Sequence, residues 1–171
     1  MTDVHSPERR SKNMRAIRSK NTNPELALRK LLFARGLRFR LHVNSLPGKP
    51  DIVLPKYRVA ILVHGCFWHG HNCYLFKLPV ARREFWQAKI LQNKQRDKRD
   101  NEALLLAGWR VLCVWECALK GRLKWDADEL ADRIASWIYC VSAADTHTEV
   151  QHRPEQHSRV DHERFTPGNS E

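Results

Sequence analysis

Val59-Ala60-Ile61-Leu62-Val63-His64-Gly65-Cys66-Phe67-Trp68-His69-Gly70-His71-Asn72-Cys73 is the stretch on which the chain turns. Its first five residues are an unbroken apolar run, suited to a central strand buried on both faces. The next ten interleave three histidines and two cysteines with an adjacent Phe-Trp pair. Thiolate and imidazole are the ligands zinc prefers. The segment is too polar to be buried whole, so its aromatics have no obvious place in a core. A metal-stapled loop that pushes aromatics outward is the simplest physical reading.

Working outward, Asp51-Ile52-Val53-Leu54 is a short strand between the turn Leu46-Pro47-Gly48-Lys49-Pro50 and the turn Pro55-Lys56-Tyr57. Upstream, Leu37, Phe39, Leu41 and Val43 alternate with Arg38, Arg40 and His42, the pattern of a strand buried on one face. A helix precedes it. Asn23-Pro24-Glu25 supplies an N-cap side chain, proline at N1 and a first-turn carboxylate; Leu28, Leu31 and Leu32 form its apolar face, and Gly36 ends it. Downstream, residues 82–107 read as a long charged helix closed by Gly108. Residues 109–115 read as a fourth strand, and Asp126 caps a last helix through about Tyr139. The order is helix, three strands, helix, strand, helix, which predicts an α/β fold with a mixed central sheet flanked by helices.

The charge says what such a body meets. The chain carries 30 Lys+Arg against 19 Asp+Glu, a net +11 with a pI near 9.8. Residues 1–141 hold 27 basic and 13 acidic side chains, while 142–171 hold 3 and 6. A body this basic favours a polyanion, most often nucleic acid. No run approaches a membrane span, and the N-terminus lacks the apolar stretch of a signal peptide. Five cysteines, an odd number, argue for reduced thiols and metal in the cytoplasm rather than a disulfide framework. Three segments are expected: a basic arm at 1–20 ordered by nucleic acid, one domain at 21–141, and an acidic, disordered tail at 142–171. In that tail His147, His152, His157 and His162 recur every five residues, a spacing that shares no helix face.

Cys66, His71 and Cys73 offer three zinc ligands, and Cys117, just past the fourth strand, is the best candidate for the fourth. Cys113 inside that strand and Cys140 near the last helix's end read as bland. Four protein ligands close a zinc site, so it cannot itself activate water. His64 and His69 remain unclaimed. Asp51 alone is a cheap turn residue, but a carboxylate and an imidazole at the ends of neighbouring strands suit a hard cation and a proton acceptor. Phosphodiester cleavage needs that pair. The alternative is a non-catalytic zinc-stapled DNA-binding module, which has no use for Asp51, His69 or Glu25. The exposed aromatics suit a probe of poorly stacked base pairs. Phe85 is expected to pack the long helix onto the sheet, and Trp86 is open to either role.

Lys12-Asn13-Met14-Arg15-Ala16-Ile17, Leu46 to Asp51, His64 to His69 and Trp115-Glu116-Cys117-Ala118-Leu119 together resemble the very-short-patch repair mismatch endonucleases of bacteria, in register over residues 3–140. The resemblance implies a restriction-endonuclease-like fold. It also implies a nick 5′ to the thymine of a T:G mismatch, in the context left when methylated cytosine deaminates. Carried over by position, Asp51 and the backbone carbonyl of Val63 bind catalytic Mg²⁺, His69 is the general base, and His64 contacts the scissile phosphate. Glu25 supports the site, and Cys66, His71, Cys73 and Cys117 bind structural Zn²⁺. Phe67, Trp68 and Trp86 wedge between base pairs, and Met14 enters from the arm, where Lys12 and Arg15 meet DNA. A monomer acting at the nucleoid alongside mismatch-repair proteins and a repair polymerase is implied. Three departures stand out: Val63 replaces the family's threonine, Gly70 stands at a position open to histidine, and the strand holding His64 lacks the lysine of related nucleases.

Overall fold

The computed structural model describes residues 20–140 and 145–154. Helix α1 spans Asn23–Ala34. Strands β1 (Arg40–Leu41), β2 (Ile52–Leu54) and β3 (Val59–His64) follow, then α2 (Arg83–Leu106), β4 (Arg110–Trp115), α3 (Glu116–Leu119), α4 (Ala127–Tyr139) and β5 (His147–Val150). The sheet runs in sequence order, β1-β2-β3-β4-β5. The first two pairings are antiparallel and the last two parallel.

Strand parity sorts the core into two faces. Val59, Ile61, Leu112 and Val114 join Leu28 and Leu32 of α1 and Leu130, Ile134 and Ile138 of α4 in one cluster. Ala60, Leu62 and Val111 meet Leu104 of α2 on the other. By the same alternation His64, Cys113 and Trp115 point to the α2 face. The mixed direction has a second consequence. The ends of β3, β4 and β5 and the start of β2 all lie at one edge, where open α/β sheets gather their ligands.

Three expectations need correction. The helix cap is Thr22, whose hydroxyl accepts from the Glu25 N–H, with Asn23 the first helical residue. The strand expected over 37–43 shrinks to Arg40–Leu41. Leu37 instead closes α1, donating to the Leu32 carbonyl after Gly36 at φ +76°, and His42 at φ +47° bends the chain away. The tail expected to be disordered from 142 contributes β5, parallel to β4 from Val111↔His147 to Val114↔Val150. Only Val150 of that strand is buried, so its sequence shows no apolar run; the ladder it completes comes from β4's open edge. Arg110 leads into it, its guanidinium donating to the carbonyls of Trp137, Ile138, Cys140 and Asp145. Lys12, Met14, Arg15 and the rest of the basic arm through residue 19, with the tail beyond 154, lie outside the described residues.

Candidate functional site

Asp51, one residue before β2, stands beside the end of β3 because the two strands are antiparallel. Its Oδ2 accepts the Val63 N–H at 2.7 Å. Burial, with Glu25 nearby, pushes its carboxyl up to about 6 despite that bond. His64 ends β3, and burial, with His69 beside it, lowers it to about 3 and keeps it neutral. Its Nδ1 lies 3.1 Å from the Cys113 sulfur. The rings of His64 and His69 stack at 3.9 Å, nearly parallel. His69 Nδ1 is in turn hydrogen-bonded to Asp97 on α2. Burial is the largest influence on the Asp97 carboxyl and presses it upward, but the hydrogen bond from His69 together with the charges of His69, His64 and Arg96 leaves Asp97 below the usual range.

Glu25, from α1, and Asp51 cluster with His42, which lies 3.8 Å from Glu25 and 4.0 Å from Asp51. Arg29 donates to Glu25 at 2.9 Å. Glu25, His42 and Asp51 line one cleft of about 860 Å³ with His64, Trp68, His69 and Asp97. All four expected catalytic residues are thus brought together.

Asp97 and His42 were not anticipated. His42 reads as the polar partner in an alternating strand. Asp97 hides among the charges of α2, yet Ile90, Asn93, Asp97, Asp100 and Leu104 fall at three- and four-residue steps on the less exposed stripe of that helix. Polar residues on an inward stripe were the available signal. Asn93 explains part of it, donating to the Trp68 carbonyl at 2.8 Å and pinning the loop after β3 to the helix.

That loop folds on itself. His71 N–H donates to the Cys66 carbonyl and Cys73 N–H to the His71 carbonyl, both at 2.9 Å. Gly70 adopts φ +58° and presses so close to α2 that an added Cβ would lie 2.5 Å from the Ile90 methyl. No larger residue fits there in this loop path. Cys66, His71, Cys73 and Cys117 converge, with all ligand atoms within 4.8 Å of one another. The Cys66 and Cys117 sulfurs are 3.6 and 3.5 Å from His71 Nδ1. Tetrahedral zinc, at its usual Zn–S and Zn–N lengths, needs an S···N edge of about 3.6 Å. The donor set and spacing fit. A hydrogen bond from the Cys66 thiol holds the Cys117 thiol below its usual range, which favours the thiolate form that zinc binds. Cys113 and Cys140 stand apart from the cluster, as expected, although Cys113 is the neighbour of His64.

The aromatics cluster at the start of α2. Phe67 meets Trp68 at 5.2 Å and Trp86 at 5.3 Å, and Trp68 meets Trp86 at 5.9 Å; all three are partly exposed. Trp86 therefore belongs with the loop aromatics. Phe85 does not pack on the sheet: it is 47% exposed, with the Arg82 guanidinium over its ring.

The sequence has counterparts among known proteins. The family described as DNA mismatch endonuclease Vsr matches residues 2–75. The DNA mismatch endonuclease Vsr of Escherichia coli (strain K12) is 51% identical over 151 residues, 88% of this chain and 96% of that protein. The chain belongs to the DNA mismatch endonuclease Vsr family. The similarity extends across species. Type II nicking enzyme V.XorIIP of Xanthomonas oryzae pv. oryzae (strain KACC10331 / KXO85) is 55% identical over 119 residues, 70% of this chain and 88% of that enzyme. Type II nicking enzyme V.NmeAIP of Neisseria meningitidis serogroup A / serotype 4A (strain DSM 15465 / Z2491) is 43% identical over 122 residues, 71% and 87% of the two chains.

Proposed function

We propose that this DNA mismatch endonuclease nicks one strand of duplex DNA on the 5′ side of the thymine in a T:G mismatch, using Mg²⁺ and a structural Zn²⁺, and so initiates repair of deaminated 5-methylcytosine. The observation that carries the reading is the cleft itself: Asp51, His64 and the His69–Asp97 pair open beside the partly exposed Phe67, Trp68 and Trp86 on a protein of net charge +11. The sheet, with its site at the strand ends, agrees with a restriction-endonuclease-like fold.

Asp51 and the Val63 carbonyl would hold Mg²⁺, with Glu25 supporting from α1; a carbonyl ligand makes the missing threonine hydroxyl immaterial. Bound there, the ion supplies charge neutralisation at the phosphate. His69 is oriented by Asp97: Nδ1–H donates to the carboxylate, which leaves the Nε2 lone pair to take the proton of the attacking water. Neutral His64 donates to a phosphate oxygen. Cys66, His71, Cys73 and Cys117 would hold Zn²⁺, which supplies the cross-link that a loop poor in apolar residues lacks. Phe67, Trp68 and Trp86 enter the stack at the mismatch, where unstacking is least costly. Lys12, Met14 and Arg15 of the arm meet the DNA from the other side. The enzyme acts as a monomer at the nucleoid, alongside mismatch-repair proteins and a repair polymerase. Among the described residues no helix is long and apolar enough to cross a membrane.

The test is single-turnover nicking of matched, T:G and other mismatched duplexes with Mg²⁺, each strand labelled separately. A nick on the thymine strand of T:G duplex alone is expected. Equal cleavage of matched duplex, or cleavage without divalent metal, refutes the reading.

A further inference from the structure

We propose that the C-terminal strand is a latch on the zinc site, with Gln151 its positioning residue: Gln151 fixes the tautomer of His71, and the metal and β5 stabilise each other. The inference rests on the zinc reading above and adds a role for a segment in which the sequence showed no function.

The observations converge from β5 and the residues just after it. His71 turns Nδ1 toward the sulfurs of Cys66 and Cys117. Its other nitrogen, Nε2, lies 3.0 Å from Gln151 Oε1. An amide oxygen there accepts Nε2–H and so keeps the proton off Nδ1, the nitrogen that must be bare to bind metal. A metal-bound histidine is normally held by such an acceptor, and losing it typically costs 10- to 100-fold in metal affinity. One residue on, the His152 N–H donates to the Cys117 sulfur at 3.4 Å, which offsets thiolate charge. The His152 ring lies against Tyr74, next to Cys73, at 5.4 Å.

The latch is itself anchored. Trp115, whose indole stacks on His71 at 4.1 Å, donates its Nε1–H to Glu149 of β5 at 2.9 Å. Trp125 Nε1–H donates to the Gln151 carbonyl at 2.7 Å, and the Arg153 N–H to the Leu123 carbonyl at 2.9 Å. The parallel sheet explains the geometry: the chain leaves β3 at Cys66, β4 at Cys117 and β5 at Gln151, all along one edge. Coupling of this kind is reciprocal. Zinc that tightens His71 also tightens β5, and loosening β5 must weaken zinc.

Gln151 is exposed, so its replacement leaves no cavity. The experiment takes the full chain, confirms one zinc per molecule by elemental analysis, and follows zinc transfer to a chromophoric chelator. Gln151→Leu should release zinc about 10-fold faster or more, while Gln151→Glu, which keeps an acceptor, releases it no faster than wild type. Hydrogen exchange on the wild-type chain supplies a reading that needs no variant: amides of residues 147–150 should be protected with zinc and lose protection when it is removed. Zinc-loaded protein in which Gln151→Leu releases zinc within twofold of wild type, or in which β5 protection ignores zinc, overturns the latch alone. Folded protein purified without zinc overturns the latch and the zinc reading together.

Discussion

His69 and Asp97, 28 residues apart, meet across the cleft, with the imidazole Nδ1 on the carboxylate. The contact sets which nitrogen of His69 faces the substrate. Asp97→Asn presents an amide that can donate as well as accept, and so admits the His69 tautomer with its proton on Nε2. Single-turnover nicking should fall by about 10²- to 10⁴-fold, with T:G duplex binding unchanged. A rate within threefold of wild type would remove the orienting role.

Asp51→Asn should abolish nicking and at the same time stabilise the metal-free fold. The folded carboxyl titrates near 6 against an ordinary value of 3.8. A raised carboxyl favours the protonated form, so stability falls as pH rises from about 4 to 6, and the cost stays above that range. The shift corresponds to at most about 3 kcal/mol. Thermal melts without added magnesium should therefore show the variant more stable than wild type by about 1–3 kcal/mol at pH 8, with the advantage gone near pH 4. An advantage that is the same at both pH values would contradict the burial argument.

Below about pH 6 the proton on Asp51 also competes with magnesium. The Mg²⁺ concentration giving half the maximal nicking rate should rise about tenfold per pH unit there, and level off above pH 7. His64, neutral down to about 3, adds nothing to that limb. A magnesium requirement that is flat from pH 5 to 8 would exclude Asp51 as the ligand.

Trp68→Ala should keep most affinity for matched duplex, which phosphate contacts dominate and salt weakens steeply. The preference for T:G over matched DNA should drop by about an order of magnitude, since one apolar wedge contributes on the scale of a base step. Titrations of both duplexes at two salt concentrations decide it, and an unchanged ratio would defeat the wedge.

Cys117→Ala should lose the bound zinc and, with it, the fold of residues 65–73. Three ligands remain, but the one joining β4 to the loop is gone. Elemental analysis and the melting temperature give the readouts; full zinc occupancy in the variant would remove Cys117 from the ligand set.

The sequence by itself determined most of the framework, because the signals were local. Five apolar residues at 59–63 suited a buried strand, Gly108 and Asp126 marked helix ends, and the cysteines and histidines of residues 64–73 stood out as candidate metal ligands. Asp51 was legible beside them because β2 and β3 are joined by a short turn, which brings its carboxylate to the Val63 N–H. Tertiary structure decided what depended on distance. Asp97 is one charge among many until α2 packs its polar stripe toward His69. His42 is an ordinary strand residue until α1 sets Glu25 against it. Apart from Val150, residues 147–152 are polar, and 147–150 are held by β4's free edge, so their ordering shows in no run of apolar residues and appears only once that edge exists. Local preference is written residue by residue, whereas an edge strand and a helix's inward polar stripe draw their stability from partners far along the chain.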